Sequence, residues 1–177
     1  STRQTAGALG NIIQYLSDPQ SARKLATVYR VWRREWKEDE EYAELYKYVT
    51  ALIRKTGKTE MLLAPSHADE WLSSLDTDES EEIIEEILLF RETVTRWLDA
   101  VTLPIDQLIL TLAQDLFSEA ADLALAHKLA LVLKQAQNDH LDWRLPELTG
   151  ELAVIAKNQR KFIGFSAEDS GFDPSNH

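Results

Sequence analysis

Apolar residues recur at intervals of three and four along almost the whole chain, and the alternation expected of strands is missing. The clearest run is Ile83, Ile84, Ile87, Leu88, Val94, Trp97, Leu98 and Val101, which collects on one side of a helix turning about 100° per residue. The same spacing predicts a helix over about Thr5 to Leu16, led by Leu9, Ile12, Ile13 and Leu16. It predicts a second from Ser21 to about Lys37, led by Leu25, Val28, Tyr29, Trp32 and Trp36, and a third from Asp39 to Thr56, led by Tyr42, Leu45, Val49, Leu52 and Ile53. After the central run, Pro104 opens a helix with Ile105, Leu108, Ile109, Leu112 and Leu116 inward, and Pro146 opens a last one with Leu145, Leu148, Leu152 and Ile155. The segment Ala120 to Ala136 is apolar on most sides and is expected to be the most enclosed helix. The fold class is therefore all-α, an irregular helical domain of about seven or eight helices.

Punctuation supports these boundaries. Asp18-Pro19 stops the first helix, because the residue before a proline is pushed out of helical geometry. Ser21 is placed to cap the second, and the run Glu38-Asp-Glu-Glu41 suits the positive end of the third. Gly57 stands where a left-handed C-cap belongs. Between Lys58 and Leu75 the pattern weakens to a short apolar piece and a short helix begun by Pro65-Ser66 and running through Trp71 and Leu75. Asp78 or Ser80 is the expected cap of the central helix. No repeat of about 34 or 40 residues is visible. Residues 1–163 are expected to form one helical domain, and 164–177, where the periodicity stops, an irregular tail.

Without cysteine, the chain offers no disulfide, thiolate zinc site or thiol nucleophile, which fits a reducing compartment and makes the cytoplasm the expected location. No apolar run of about 18 residues exists to suggest a membrane span. The formal charge of -11 argues against nonspecific coating of nucleic acid, yet it is unevenly spread: residues 1–37 carry +5 and the remainder -16. Any contact with a polyanion is thus expected to be local.

Thr56-Gly-Lys-Thr59 imitates the end of a phosphate-binding loop, in which glycine amides and a lysine surround phosphate and a threonine binds magnesium. The motif needs a glycine where Leu52 stands and a strand where a helix is predicted, so a helix end is the better reading. Asp76-Thr-Asp78-Glu-Ser80-Glu81-Glu82 offers oxygen ligands, but a calcium loop starting at Asp76 would need glycine and glutamate where Glu81 and Ile87 stand. His67, His127, His140 and His177 form no metal-binding array, and no serine is nominated as a nucleophile. An all-α enzyme with a non-sequential site is the least favoured class. The five tryptophans, Trp32, Trp36, Trp71, Trp97 and Trp143, sit at core spacings and read as packing before base stacking.

The second helix holds the one patch that points to a ligand. Arg23, Arg30, Arg34 and Lys37 fall within about 60° of one another on a helical wheel, opposite Leu25, Val28, Trp32 and Trp36. With Arg33 beside them, they form a cationic stripe along which phosphates can track; the competing reading is a solvated face offset by the acidic run that follows. Lys157, Arg160 and Lys161, next to Phe162, make a second, weaker basic spot.

Four stretches of residues carry a family resemblance. Ala8-Leu-Gly-Asn-Ile-Ile-Gln-Tyr-Leu-Ser-Asp-Pro19 resembles the entry into the helical 2B subdomain of UvrD/Rep/PcrA-type superfamily 1 DNA helicases. Leu103-Pro-Ile-Asp-Gln-Leu108 and Arg144-Leu-Pro-Glu-Leu148 resemble its later helix starts. The stretch Phe162-Ile-Gly-Phe-Ser-Ala-Glu-Asp-Ser-Gly-Phe-Asp-Pro174 resembles the approach to the second motor domain. The resemblance implies an accessory or regulatory subdomain of a longer parent, an ATP-dependent 3′ to 5′ DNA helicase acting in repair or replication. ATP and Mg would then belong to the parent, and the implied partners are its motor domains, duplex DNA and a protein partner. The start at Ser1, with Met61 as the only methionine, agrees with a piece of a larger protein. The family's Gly-Ile-Gly type loop, which contacts duplex phosphates, has no counterpart between Arg33 and Leu75. The alternative is a free-standing helical adaptor that binds protein.

Overall fold

The computed structural model describes residues 1–64, 70, 73 and 81–158, and among them every regular element is helical. The helices are α1 (Thr2–Ser17), α2 (Ala22–Trp32), α3 (Ala43–Lys55), the four-residue α4 (Glu60–Leu63), α5 (Glu81–Asp99), α6 (Ile105–Leu116), α7 (Ala120–Asp139) and α8 (Leu145–Lys157). Single 3-10 turns follow α2, at Arg34–Trp36, and α5, at Ala100–Thr102. The all-α expectation holds.

The chain divides into two compact units, one of Ser1–Ile13 with the chain from Leu103 onward, the other of Gln14–Thr102. In the first, α6 packs on α7 and α7 on α8. Its buried residues include Leu108, Ile109 and Leu112 of α6, Leu129 and Leu133 of α7, and Leu148 and Leu152 of α8. Gly10 of α1 faces α8, where an added Cβ would meet that of Leu152 at 4.0 Å. In the second unit, α2 packs on α3, while α3 and α4 pack on α5. Leu25, Tyr29, Val49, Ile53, Leu62, Ile87, Phe90 and Trp97 are all inaccessible there. Burial of each such side chain contributes roughly 1.5–3 kcal/mol.

Several boundaries differ from the sequence expectation for local reasons. Ser21 caps α2 as expected, its Oγ accepting from the Lys24 N–H at 3.2 Å. The helix ends at Trp32, however, where Arg33 leaves helical geometry at φ -105° and ψ 26°. Residues 34–36 then form a tighter turn. Helix α3 starts at Ala43 and not at Asp39, because the Asp39 carboxylate takes the N–H groups of Glu41 and Tyr42 at 2.8 and 3.0 Å, a local turn that competes with the helix. Its C-cap is Thr56, at φ -63° and ψ 127°, with Gly57 outside the left-handed region. Pro104 is itself the N-cap of α6, one position before the first turn.

The largest correction concerns α7. It buries only Ala126, Leu129, Ala130 and Leu133 and leaves Leu131 64% exposed. The enclosed helix is α1, with Thr2, Thr5, Ala6, Ala8, Leu9, Ile12, Ile13, Tyr15 and Leu16 all buried. The short helix expected from Pro65 through Leu75, the caps at Asp78 or Ser80, and the tail lie outside the described residues.

Candidate nucleic-acid interface

The stripe on α2 is built differently from its wheel projection. Because the α-helix stops at Trp32, Arg34 and Lys37 no longer follow the angular register of Arg23 and Arg30. Arg23 and Arg30 remain seven residues, two turns, apart on the exposed face of α2. Arg30 is positioned by Tyr46 of α3, whose hydroxyl accepts from its Nε at 3.3 Å. Arg34 is half-buried and donates from Nη1 to the Val31 carbonyl at 2.9 Å, which folds it back over the end of α2. Lys37 is exposed beyond the turn. Lys24, flanking the stripe, is paired with Asp18 at 3.2 Å.

Arg33 turns its guanidinium to the protein. Its Nε and Nη2 donate to the two oxygens of Glu86 on α5, at 2.9 and 2.8 Å, and its guanidinium carbon lies 3.8 and 4.0 Å from the ring centroids of Trp32 and Trp36. Glu86, only 4% exposed in its side chain, also accepts from the Tyr29 hydroxyl at 2.8 Å. Burial and then the Glu86 charge push the Tyr29 phenol far up, keeping it a donor. Around the pair, Phe90 meets Tyr29 edge-on at 5.2 Å and stacks with Trp32 at 5.6 Å, while Trp36 stacks on Tyr42 at 4.6 Å. A bidentate pair inside an aromatic cluster joins α2 to α5.

Glu86 escaped the sequence reading, although its position announces burial: it lies three residues after Ile83 and four before Phe90, on the inward face of α5. A buried carboxylate needs a cation, and Arg33 is that cation. The tryptophans are packing residues where described. Trp97 is fully buried, and Trp143 stacks on His140 at 4.1 Å; Trp71 lies outside the described residues. Of the second basic spot, Lys157 is exposed in the last turn of α8, and Arg160 and Lys161 lie outside the described residues.

The phosphate-loop imitation resolves into structure. Thr59 is buried and its hydroxyl donates to the Pro19 carbonyl, which also accepts from the Tyr15 hydroxyl at 3.1 Å. That hydroxyl is committed to the protein and does not fit a magnesium ligand. Among the described residues no group of three or more His, Asp or Glu is arranged to hold a metal ion, and no helix is long and apolar enough to cross a membrane.

No protein-family model matches this chain. No curated protein and no solved structure matches it either. The site must therefore be read from its own chemistry. What that chemistry provides is two exposed cations, Arg23 and Arg30, on one face of α2, with exposed Lys37 beyond the turn and an aromatic and ionic joint at the end of the helix.

Proposed function

We propose that this chain is the accessory 2B-like subdomain of a superfamily 1 DNA helicase, guiding or restraining unwinding by a motor that hydrolyses ATP elsewhere in the parent protein. The observation that carries the reading is where the helicase-like segments fall. Leu103-Pro-Ile-Asp-Gln-Leu108 spans the cap and first turn of α6. Arg144-Leu-Pro-Glu-Leu148 spans the start of α8, where the Glu147 carboxylate accepts from the Arg144 N–H at 3.0 Å. Ala8 to Pro19 runs along α1 to its stop. Resemblance at helix starts and stops is harder to reach by composition alone than resemblance along an apolar stripe, because caps need particular residues at single positions. The all-α fold agrees with it.

In this role the subdomain touches duplex DNA through the phosphates, with Arg23, Arg30 and Lys37 as the contacts. The test is direct. The flanking reading frame is expected to encode helicase motor motifs, and their absence on both sides overturns the assignment. Labelled forked duplex titrated with the chain at two salt concentrations is expected to show weak, salt-sensitive binding that falls in Arg23→Ala/Arg30→Ala/Lys37→Ala. Equal binding by parent and variant removes the stripe from the proposal.

A further inference from the structure

A second surface in the Gln14–Thr102 unit contains none of the predicted site residues. The first two turns of α3 and the first turn of α5 border an open depression of about 500 Å³, lined by Glu41, Glu44, Leu45, Lys47, Tyr48, Glu82 and Ile83. Its volume falls in the roughly 300–1,000 Å³ range of small-ligand sites, large enough to seat one bulky side chain. Leu45 and Ile83 are half-buried and supply apolar surface, and Tyr48 is 41% exposed, one of the few large apolar side chains left so.

The rim is predominantly negative. Three carboxylates, Glu41, Glu44 and Glu82, face one ammonium, Lys47, which is itself held in an exposed pair with Glu44 at 3.7 Å. Exposed Glu38, Asp39, Glu40 and Glu81 continue the negative field at the ends of the same elements. These carboxylates are not grouped closely enough to bind one metal ion. Spread charge around an apolar seat instead matches a partner that brings several separated cations and one apolar anchor.

We infer that this depression docks a basic amphipathic segment of a partner protein, with an aliphatic or aromatic side chain seated over Leu45, Tyr48 and Ile83 and flanking lysines or arginines paired with Glu41, Glu44 and Glu82. The mode is the familiar one of anchors spaced along one face of a helix laid in a groove. Glu41, Glu44 and Glu82 then discriminate against acidic segments by repelling their carboxylates, an effect that the single ammonium of Lys47 offsets only in part. The site holds whether the chain serves a helicase or stands alone, since it shares no residue with the α2 stripe.

The test uses a fluorescein-labelled 14-residue peptide of Leu and Lys at helical spacing, read by anisotropy against the whole chain at low salt. A peptide with every Lys replaced by Glu serves as the partner control. Glu44→Gln/Glu82→Gln is expected to weaken binding at least about fivefold, as is Tyr48→Ala. The charge-matched variant Glu92→Gln/Glu119→Gln is expected to bind as the parent does, and amide NMR shifts are expected to centre on Leu45, Tyr48 and Ile83. The proposal is overturned if both double variants weaken binding equally, if the Glu peptide binds as well, or if the shifts fall elsewhere. Self-association of the chain through this face, seen by sedimentation without peptide, also overturns it.

Discussion

Arg33 and Glu86, 53 residues apart in sequence, form a bidentate ion pair with N to O distances of 2.9 and 2.8 Å, and this pair joins the end of α2 to the middle of α5. Removing one partner leaves the other buried without its counter-charge, a penalty of about 3–5 kcal/mol for a buried pair. Glu86→Ala is therefore expected to lower the unfolding free energy by an amount at or near the bottom of that range, since Arg33 keeps some exposure to solvent. Glu86→Gln, which keeps an acceptor for Tyr29 and Arg33, is expected to be less destabilised. Urea unfolding followed by tryptophan fluorescence measures both. Equal stability of Glu86→Ala and the parent would show that the joint contributes nothing.

Ser21 marks where α2 begins, its hydroxyl accepting from the Lys24 N–H. Ser21→Ala removes that acceptor and is expected to cost about 1 kcal/mol, while Ser21→Asp, which restores an acceptor and adds a charge at the positive helix end, is expected to recover it. Thermal unfolding of the two variants decides between a cap and an incidental hydrogen bond.

Alkaline pH probes the buried phenols. Burial pushes Tyr15 up to about 12, the neighbouring Thr59 hydroxyl acting against the shift and the Asp18 charge adding to it. An unfolded tyrosine titrates near 10, so between about pH 10 and 12 the unfolded chain releases a proton that the folded chain keeps. The sign follows: this stability is intact below about pH 10 and falls by about 1.4 kcal/mol per pH unit for each such group until the folded value is passed. Tyr29, shifted in the same direction, adds to the fall. Urea midpoints measured from pH 9 to 11.5 are expected to drop less steeply in Tyr15→Phe than in the parent, and parallel slopes would refute the assignment.

Most helices were legible because their apolar residues repeat strictly: on α6, Ile105, Leu108, Ile109, Leu112 and Leu116 are all buried as expected. What sequence periodicity could not supply was the competition between local and distant partners. Asp39 shortens α3 by capturing two amides, and Arg33 stands at the break in α2 while its side chain reaches a residue on another helix. The misplaced enclosure of α7 has a similar origin. Alanine and leucine all round a helix permit burial, but which helix is covered depends on neighbours, and here α1 with its small residues Ala6, Ala8 and Gly10 is the covered one. The same break changed the candidate interface, since a wheel drawn through residue 37 assumes a helix that stops at 32.

Salt dependence separates the residues of that interface by role. Each cation that neutralises a phosphate of duplex DNA adds about 0.9 to the steepness with which log affinity falls against log salt. If Arg23, Arg30 and Lys37 are phosphate ligands, single alanine variants are expected to reduce the slope by nearly that amount each, with little change in unfolding free energy, because all three are exposed. Arg33→Ala is expected to do the reverse, lowering stability through Glu86 while leaving the slope of the remaining folded protein unchanged. Arg33→Lys should rescue only part of that stability, since a lysine supplies charge without the two-pronged geometry or the stacking against both indoles. Titration of duplex at four salt concentrations, each variant first checked for folding, yields slope and stability together. A slope that falls with Arg33→Ala and not with Arg30→Ala would invert the assignment of structural and phosphate-binding arginines on α2.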